Sequence, residues 1–213
     1  MNAHYRDQTI TIHKLKCGPY DNNAYLLVCP ETNESIIIDA PEDPGALIAE
    51  AKATSVKSIL ITHSHSDHIQ GLAQVVTAIG APVGIGAGDA SELPDSADFF
   101  LEDGGEVKAG TLTLKVIPTP GHTPGSTCLA IGSHLFTGDT LFPGGPGKTR
   151  TPADLHQIIE SISTKLLTME DGVVFYPGHG DDGRLVTAKD EYSSFASKEH
   201  PSDLCGDVLW LEG

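Results

Sequence analysis

Positively charged side chains are scarce in this sequence. Lysine and arginine together number 13 in 213 residues, against 29 aspartates and glutamates, which gives a formal net charge of −16. A surface of that sign repels phosphate backbones and anionic membranes over most of its area. Nucleic acids are therefore not expected as partners. The solubility that net charge confers is a simple explanation for the acidic surface.

Long apolar runs are missing as well. No stretch of about 18 apolar residues occurs anywhere, and residues 1–11 lack the apolar core of a signal peptide. We therefore expect neither a membrane-spanning segment nor export, and we predict a cytoplasmic protein.

Cysteine is sparse, and its spacing is wide. Cys17, Cys29, Cys128 and Cys205 form no Cys-x-x-Cys pair, which suits a reducing compartment better than a disulfide scaffold. Cys29 and Cys128 lie inside apolar runs, so buried thiols are expected there. None of the four is a candidate for catalysis.

Short apolar runs rich in β-branched residues recur along the chain, bounded by turn residues, and this pattern is typical of strands. The runs fall into two groups, which predicts two sheets. A chain of this length buries one substantial core, so we expect a single domain over residues 1–213. The predicted strands are Thr9–Leu15, Ala24–Val28, Ser35–Asp39, Lys57–Thr62, Leu112–Ile117, Thr127–Ile131, His134–Thr137 and Val173–Tyr176.

Helical patterns lie between these strands. The clearest begins at Thr151, a predicted N-cap, with Pro152 suited to the first helical position and Asp154 to the N-terminal dipole. Apolar residues at helical spacing follow from Leu155 to Leu167 and form one stripe that must pack on a sheet. Weaker helices are predicted at Pro44–Ala53, Ile69–Ile79 and Leu185–Ser197, and a loop-rich stretch at Gly86–Gly105.

The strongest chemical signal is the segment Thr62-His63-Ser64-His65-Ser66-Asp67-His68, between an apolar strand and a predicted helix. Histidines at i and i+2 point the same way from an extended segment, and the turn after them brings Asp67 and His68 to a neighbouring point. One short loop can thus serve two cations. Three more ligand-type residues follow strand-like runs, each beside a glycine: His122, Asp139 and His179.

Imidazoles and carboxylates without thiolate favour zinc and admit iron or manganese. Two such ions about 3.5–4 Å apart can hold a water as hydroxide near neutral pH and polarise a carbonyl oxygen. We therefore expect two divalent cations, Zn²⁺ first and Fe as the alternative, and no need for a serine or cysteine nucleophile.

The segment Thr62–His68 resembles the HxHxDH signature of the metallo-β-lactamase superfamily, and its other motifs are matched in order by Asp39, His122, Asp139 and His179. The resemblance spans most of the chain. It implies an α+β fold, a four-layer αββα sandwich, with the active site along the sheet edge.

The resemblance also implies the ligand roles. The first metal would be held by His63, His65 and His122, and the second by Asp67, His68 and His179. Asp139 would bridge the two metals, so Asp67 and Asp139 are the predicted catalytic carboxylates. Asp39 would orient the histidine loop without binding metal.

Within the superfamily, Thr119–Gly125 and Leu135–Lys148 are most similar to glyoxalase II (hydroxyacylglutathione hydrolase) and its shorter relatives, which hydrolyse thioesters. The resemblance implies a metal-dependent hydrolase acting on a small-molecule substrate, and a bridging aspartate argues against a true β-lactamase. Two departures weigh against glutathione as the thiol carrier. Only 34 residues follow His179, where full-length glyoxalase II has a glutathione-binding domain, and Pro146 replaces a typical cysteine.

Other functions stay open at this point. A persulfide dioxygenase of the same fold would bind one iron through His63, His122 and Asp139, and a lactone hydrolase would use the dinuclear site on a cyclic ester. A non-catalytic metal-binding module is a fourth reading, and RNA processing is disfavoured by the charge. Self-association as a homo-oligomer is open too.

Lys148 and Arg150 are two cations on the loop that follows Asp139 in an otherwise acidic chain. They are candidates for binding a substrate carboxylate, because a chain of net charge −16 repels an anionic substrate unless positive side chains supply a local counter-field. The alternative is that both are ordinary surface cations.

Overall fold

A computed structural model describes residues 3–212 and contains two main sheets. The first sheet has seven strands that pair in chain order: Tyr5–Arg6 (β1), Thr11–Cys17 (β2), Asn22–Val28 (β3), Glu34–Ile38 (β4), Ser55–Ile61 (β5), Val83–Ile85 (β6) and Phe99–Phe100 (β7). β1 to β4 are antiparallel, and β4 to β7 are parallel.

The second sheet comes from the other half of the chain. Its strands are Glu106–Ala109 (β8), Leu112–Pro118 (β9), Thr127–Ile131 (β10), His134–Gly138 (β11), Val174–Pro177 (β14) and Gly183–Arg184 (β15), in the order β15-β14-β11-β10-β9-β8. All its pairs are antiparallel except β11 with β14. A small separate hairpin joins Leu141–Phe142 (β12) to Gly145–Pro146 (β13).

The described residues form five α-helices beside the sheets: Gly45–Ala51 (α1), Ser66–Ile69 (α2), Leu72–Ile79 (α3), Pro152–Ser161 (α4) and Leu185–Ala196 (α5). A 3₁₀ turn spans Ala87–Glu92, and α4 continues into a π-helical turn at Ile162–Leu166. Within residues 3–212 none of the helices has both the length and the apolarity needed to cross a membrane.

Three apolar clusters separate four layers, as the predicted αββα sandwich requires. The middle cluster lies between the sheets, and the outer two lie under α1 with α3 and under α4 with α5. The alternation of side chains along a strand distributes residues between them. Ile36 and Ile38 of β4 enter the middle cluster, whereas Ile37 faces the helices.

The eight predicted strands are all present, and the buried thiols of Cys29 and Cys128 are confirmed. The predicted helix Ile69–Ile79 is wrong in its bounds, because the helical segment begins at Ser66 and breaks before Leu72. A Cβ on Gly71 would lie 2.1 Å from the carbonyl oxygen of Pro41, so the chain passes too closely there for any other residue.

The start of α4 follows the prediction in detail. Thr151 Oγ1 accepts a hydrogen bond from the Asp154 amide, and Asp154 Oδ2 accepts one from the Thr151 amide, which completes a capping box. The apolar stripe from Leu155 onward packs on the second sheet.

Thr151→Ala removes this cap and is expected to lower the free energy of unfolding by about 1 kcal/mol. Denaturant unfolding monitored by circular dichroism measures the change. Thr164→Ala is the control, since Thr164 is an exposed threonine outside the cap and its loss should change the free energy of unfolding by less than about 0.5 kcal/mol. Equal effects of the two substitutions would contradict the role given to the cap.

Candidate metal centre

The seven predicted ligands meet because parallel strands deliver their carboxyl ends to one edge of a sheet. β4 and β5 are parallel and end at Asp39 and at the histidine loop, and β11 and β14 are parallel and end beside Asp139 and His179. His122 follows β9 on the loop to β10. Both sheets therefore present ligand-type side chains at a shared edge.

The histidine loop changes conformation midway, as the sequence pattern suggested. His65 is still extended (φ −60°, ψ 140°) and occupies the N-cap position of α2, whereas Asp67 and His68 belong to the helix. The change of direction separates the first two histidines from the last two ligands.

One group of ligand atoms comprises one nitrogen each of His63, His65 and His122, all within 4.8 Å of one another. His122 Nε2 lies 2.9 Å from His65 Nδ1. His63 is fully buried, with 1% of its side chain exposed.

A second group comprises Asp67, His68 and His179. His179 Nε2 lies 3.1 Å from Asp67 Oδ2 and 3.3 Å from His68 Nε2, and His68 Nε2 lies 3.6 Å from Asp67 Oδ2. Tetrahedral coordination with bonds of about 2.0–2.1 Å separates ligand atoms by about 3.3 Å. The spacing in this group therefore fits a small cation.

Asp139 lies between the two groups. Its Oδ2 is 3.7 Å from His122 Nε2 in the first group and 3.6 Å from His179 Nε2 in the second, and its Oδ1 is 3.4 Å from His68 Nε2. A single carboxylate thus reaches both sets of ligand atoms.

Hydrogen bonds on the far side of the rings orient the imidazoles. His122 Nδ1 donates to the Lys148 carbonyl at 2.8 Å, and His179 Nδ1 donates to the Tyr20 carbonyl at 3.1 Å. In each ring Nε2 therefore faces the cluster, which is the tautomer that metal-binding histidines require.

Asp39 contacts the histidine loop as the sequence predicted. Its carboxylate accepts hydrogen bonds from the Thr62 amide and hydroxyl, both at 2.8 Å, and from His68 Nδ1 at 2.9 Å. Since the Thr62 hydroxyl donates to Asp39, it accepts from His63 Nδ1 at 3.1 Å. One carboxylate thus fixes two rings.

Two buried atoms in the centre have no hydrogen-bond partner, His63 Nε2 and Asp139 Oδ1. An unpaired buried polar atom costs roughly 1–3 kcal/mol. Both atoms point into the cluster, where a cation would satisfy them. The residues present therefore fit a metal.

The pKa shifts of the buried ligand-type residues also fit a bound cation. Burial lowers the pKa of His63 well below its usual range, and nearby His68 adds to that shift. Burial also opposes charge on His68, but Asp139 and Asp39 outweigh it and raise the pKa of His68 well above its usual range. Burial alone would raise the pKa of Asp139, yet His68 and His63 lower it below its usual range. The cluster thus holds ionised carboxylates that attract positive charge, and a cation competes with the proton on His68.

Asn22 contacts the second ligand group, which the sequence pattern did not reveal. Its Nδ2 donates to Asp67 Oδ2 at 2.9 Å and lies 3.3 Å from His179 Nε2. Because β3 runs antiparallel to β4, its first residue reaches the ligand edge. The run Asp21-Asn22-Asn23 before an apolar strand was the available signal.

A cavity of about 720 Å³ opens beside the first ligand group, with His65, His122, Arg150 and Gln157 among its lining residues. The two positively charged residues of the loop after Asp139, Lys148 and Arg150, lie in different places. Arg150 lines this cavity, whereas the exposed Lys148 side chain is 3.3 Å from Asp207 and lies over a separate depression.

Comparison with known proteins identifies the family. Residues 17–179 match the Metallo-beta-lactamase superfamily, so this chain belongs to that superfamily. It is 40% identical over 161 residues to a hydroxyacylglutathione hydrolase of Anaeromyxobacter dehalogenans, an alignment that covers 75% of this chain and 61% of the relative. The chain thus spans about three fifths of the length of such curated relatives.

Solved structures share the fold. The chain superimposes on the BLEG-1 B3 metallo-beta-lactamase with a TM-score of 0.76 and 28% identity, covering 84% of this chain and 96% of that one. For TTHA1623, solved in a di-iron-bound form, the TM-score is 0.71 with 28% identity, covering 82% and 95%.

Asp139→Asn removes the charge shared by both ligand groups. We expect the variant to lose bound metal, and its turnover to fall by more than the roughly 10- to 100-fold that follows when a hydrogen-bond partner behind a metal ligand is removed. Its folding stability should fall much less. Metal analysis, turnover and denaturant unfolding of the same preparation measure these effects. Asp103→Asn, an exposed aspartate on the turn between β7 and β8, is the control. A variant that kept two metals and normal turnover would show that Asp139 does not bridge.

Proposed function

We propose that this chain hydrolyses a thioester of a small molecule with the help of two divalent cations, zinc in the first place and iron as the alternative. The observation that carries the proposal is the position of Asp139 between two complete groups of three ligand atoms. A mononuclear iron site would need only His63, His122 and Asp139. The well-matched spacing of Asp67, His68 and His179 favours a second cation.

We assign His63, His65 and His122 to one cation, Asp67, His68 and His179 to the other, and Asp139 to both. When bound, such a pair of cations lowers the pKa of a coordinated water and polarises the acyl carbonyl. The protein keeps the cluster-facing imidazole nitrogens as lone-pair donors, because Asp39 and the carbonyls of Lys148 and Tyr20 accept hydrogen bonds from the N–H groups on the opposite side of the rings. Asp67 and Asp139 supply the negative charge, and their lowered pKa values keep both ionised.

The thioester class follows from the relatives. Hydroxyacylglutathione hydrolases are 34–40% identical to this chain over about three quarters of its length. The ligand groups lie within residues 17–179, the region that matches the superfamily. Water attack on a thioester carbonyl forms a carboxylate and releases a thiol.

Zinc binding and thioester turnover together test this proposal. Protein purified without added metal is analysed for metal content and assayed with S-lactoylglutathione. Two zinc ions per chain and release of thiol support the hydrolase. One iron per chain, together with oxygen consumption when a persulfide is the substrate, would contradict the hydrolase and indicate a dioxygenase. Hydrolysis of a lactone without hydrolysis of the thioester would instead indicate a lactonase.

Within this proposal, Arg150 binds a carboxylate of the substrate. It lines the cavity beside His65. Burial and the nearby His122 are the larger causes that lower the pKa of His65, and the positive charge of Arg150 adds to them. Lys148 is the weaker candidate, because its ammonium group is paired with Asp207.

Arg150→Gln is expected to raise KM for an anionic thioester and to flatten its dependence on salt, with kcat and metal content unchanged. Lys148→Gln should have a smaller effect. Lys115→Gln, a cation on β9 away from the cavity lining, controls for net charge. Steady-state kinetics with a neutral thioester is the decisive comparison, since equal shifts in KM for neutral and anionic substrates would refute carboxylate binding.

A further inference from the structure

We infer that Asp89, a residue outside the superfamily motifs matched above, is a positioning residue that sets the geometry of the first ligand group, His63, His65 and His122. The inference rests on the metal binding assigned under Proposed function. It predicts an effect on zinc affinity, which is measured without substrate, so a failure of the thioester reaction would not contradict it.

Asp89 lies on the 3₁₀ turn after β6 and is 1% exposed. Its carboxylate accepts three hydrogen bonds. Oδ2 accepts one from the Ser64 amide at 2.8 Å and one from the Thr123 hydroxyl at 2.7 Å, and Oδ1 accepts one from the Gly125 amide at 2.7 Å. Three donors offset the cost of burying this charge.

The donors flank the ligands of the first group. Ser64 stands between His63 and His65 in the chain, and Thr123 follows His122. The two loops come from different sheets, one after β5 and one before β10. Asp89 Oδ2 therefore joins both loops through one oxygen atom, whereas no hydrogen bond or ion pair links Asp89 to Asp67, His68 or His179.

Close packing leaves this link little freedom. A Cβ on Gly125 would lie 2.5 Å from the Asp89 amide nitrogen, and a Cβ on Gly88 would lie 2.8 Å from the Pro124 carbonyl. The turn that carries Asp89 and the loop that carries His122 thus touch backbone to backbone. A displaced carboxylate would move His122 relative to the histidine loop.

Asp89→Asn keeps the shape of the side chain but puts an N–H₂ group opposite one of the three donors. We expect the metal-free variant to fold and to bind Zn²⁺ at the first group about 10- to 100-fold more weakly, the usual effect of losing a partner behind the ligands. Competition between the metal-free protein and a chelating indicator measures the stepwise Zn²⁺ affinities.

Two backgrounds separate positioning from general destabilisation. In His179→Ala, which impairs the second group, Asp89→Asn should weaken the surviving Zn²⁺ affinity by the same factor. In His65→Ala, which impairs the first group, it should cause no further loss. Asn22→Ala, whose amide contacts Asp67, should show the reverse pattern.

Asp98→Asn is the control, since Asp98 is an exposed aspartate whose Oδ2 also accepts a backbone hydrogen bond, from the Val83 amide at 2.7 Å, on a strand outside the two ligand loops. Equal losses of Zn²⁺ affinity in both backgrounds, or full affinity in a folded Asp89→Asn, would overturn the inference. If that variant fails to fold, Thr123→Val removes one of the three bonds. It should weaken Zn²⁺ binding in the His179→Ala background alone, and an unchanged affinity there would equally overturn the inference.

Discussion

Five imidazoles and two carboxylates share one largely buried space, and their ligand-type nitrogen and oxygen atoms approach each other to distances as short as 2.9 Å. Such an arrangement is repulsive unless positive charge fills the space between the atoms. The surrounding structure holds it in place through bonds on the outer side of the rings, chiefly from Asp39 and from the carbonyls of Lys148 and Tyr20. The same constraint leaves His63 Nε2 and Asp139 Oδ1 without partners and so favours cation binding.

The two halves of the chain meet this constraint in the same way. Each sheet contains a parallel pair, β4 with β5 and β11 with β14, whose ends point to the common edge. Backbone hydrogen bonds then join the edges, from the Asn23 amide to the Gly178 carbonyl and from the Thr127 amide to the Thr62 carbonyl. A Cβ on Gly178 would lie 2.3 Å from Asp139 Oδ1, which explains why glycine precedes His179.

The sequence predicted eight of the strands, the α4 cap and the convergence of the seven ligand-type residues, because each has a local signal in the form of β-branched runs, a Thr-Pro-x-Asp start or a glycine before a strand-end ligand. It did not reveal Asn22 or Asp89. The importance of Asp89 comes from hydrogen bonds to distant segments, with Ser64 and Thr123, for which no local pattern exists. Lys148 and Arg150 looked equivalent in sequence, but in the structure Arg150 lines the cavity whereas Lys148 is paired with Asp207.

If the shared edge holds two cations with Asp139 between them, crystals grown with Zn²⁺ and measured on both sides of the zinc absorption edge will show them. We expect two anomalous peaks, one among His63, His65 and His122 and the other among Asp67, His68 and His179, each within bonding distance of Asp139. A single peak at full zinc occupancy, or two peaks that do not share Asp139, would show that Asp139 does not bridge two cations.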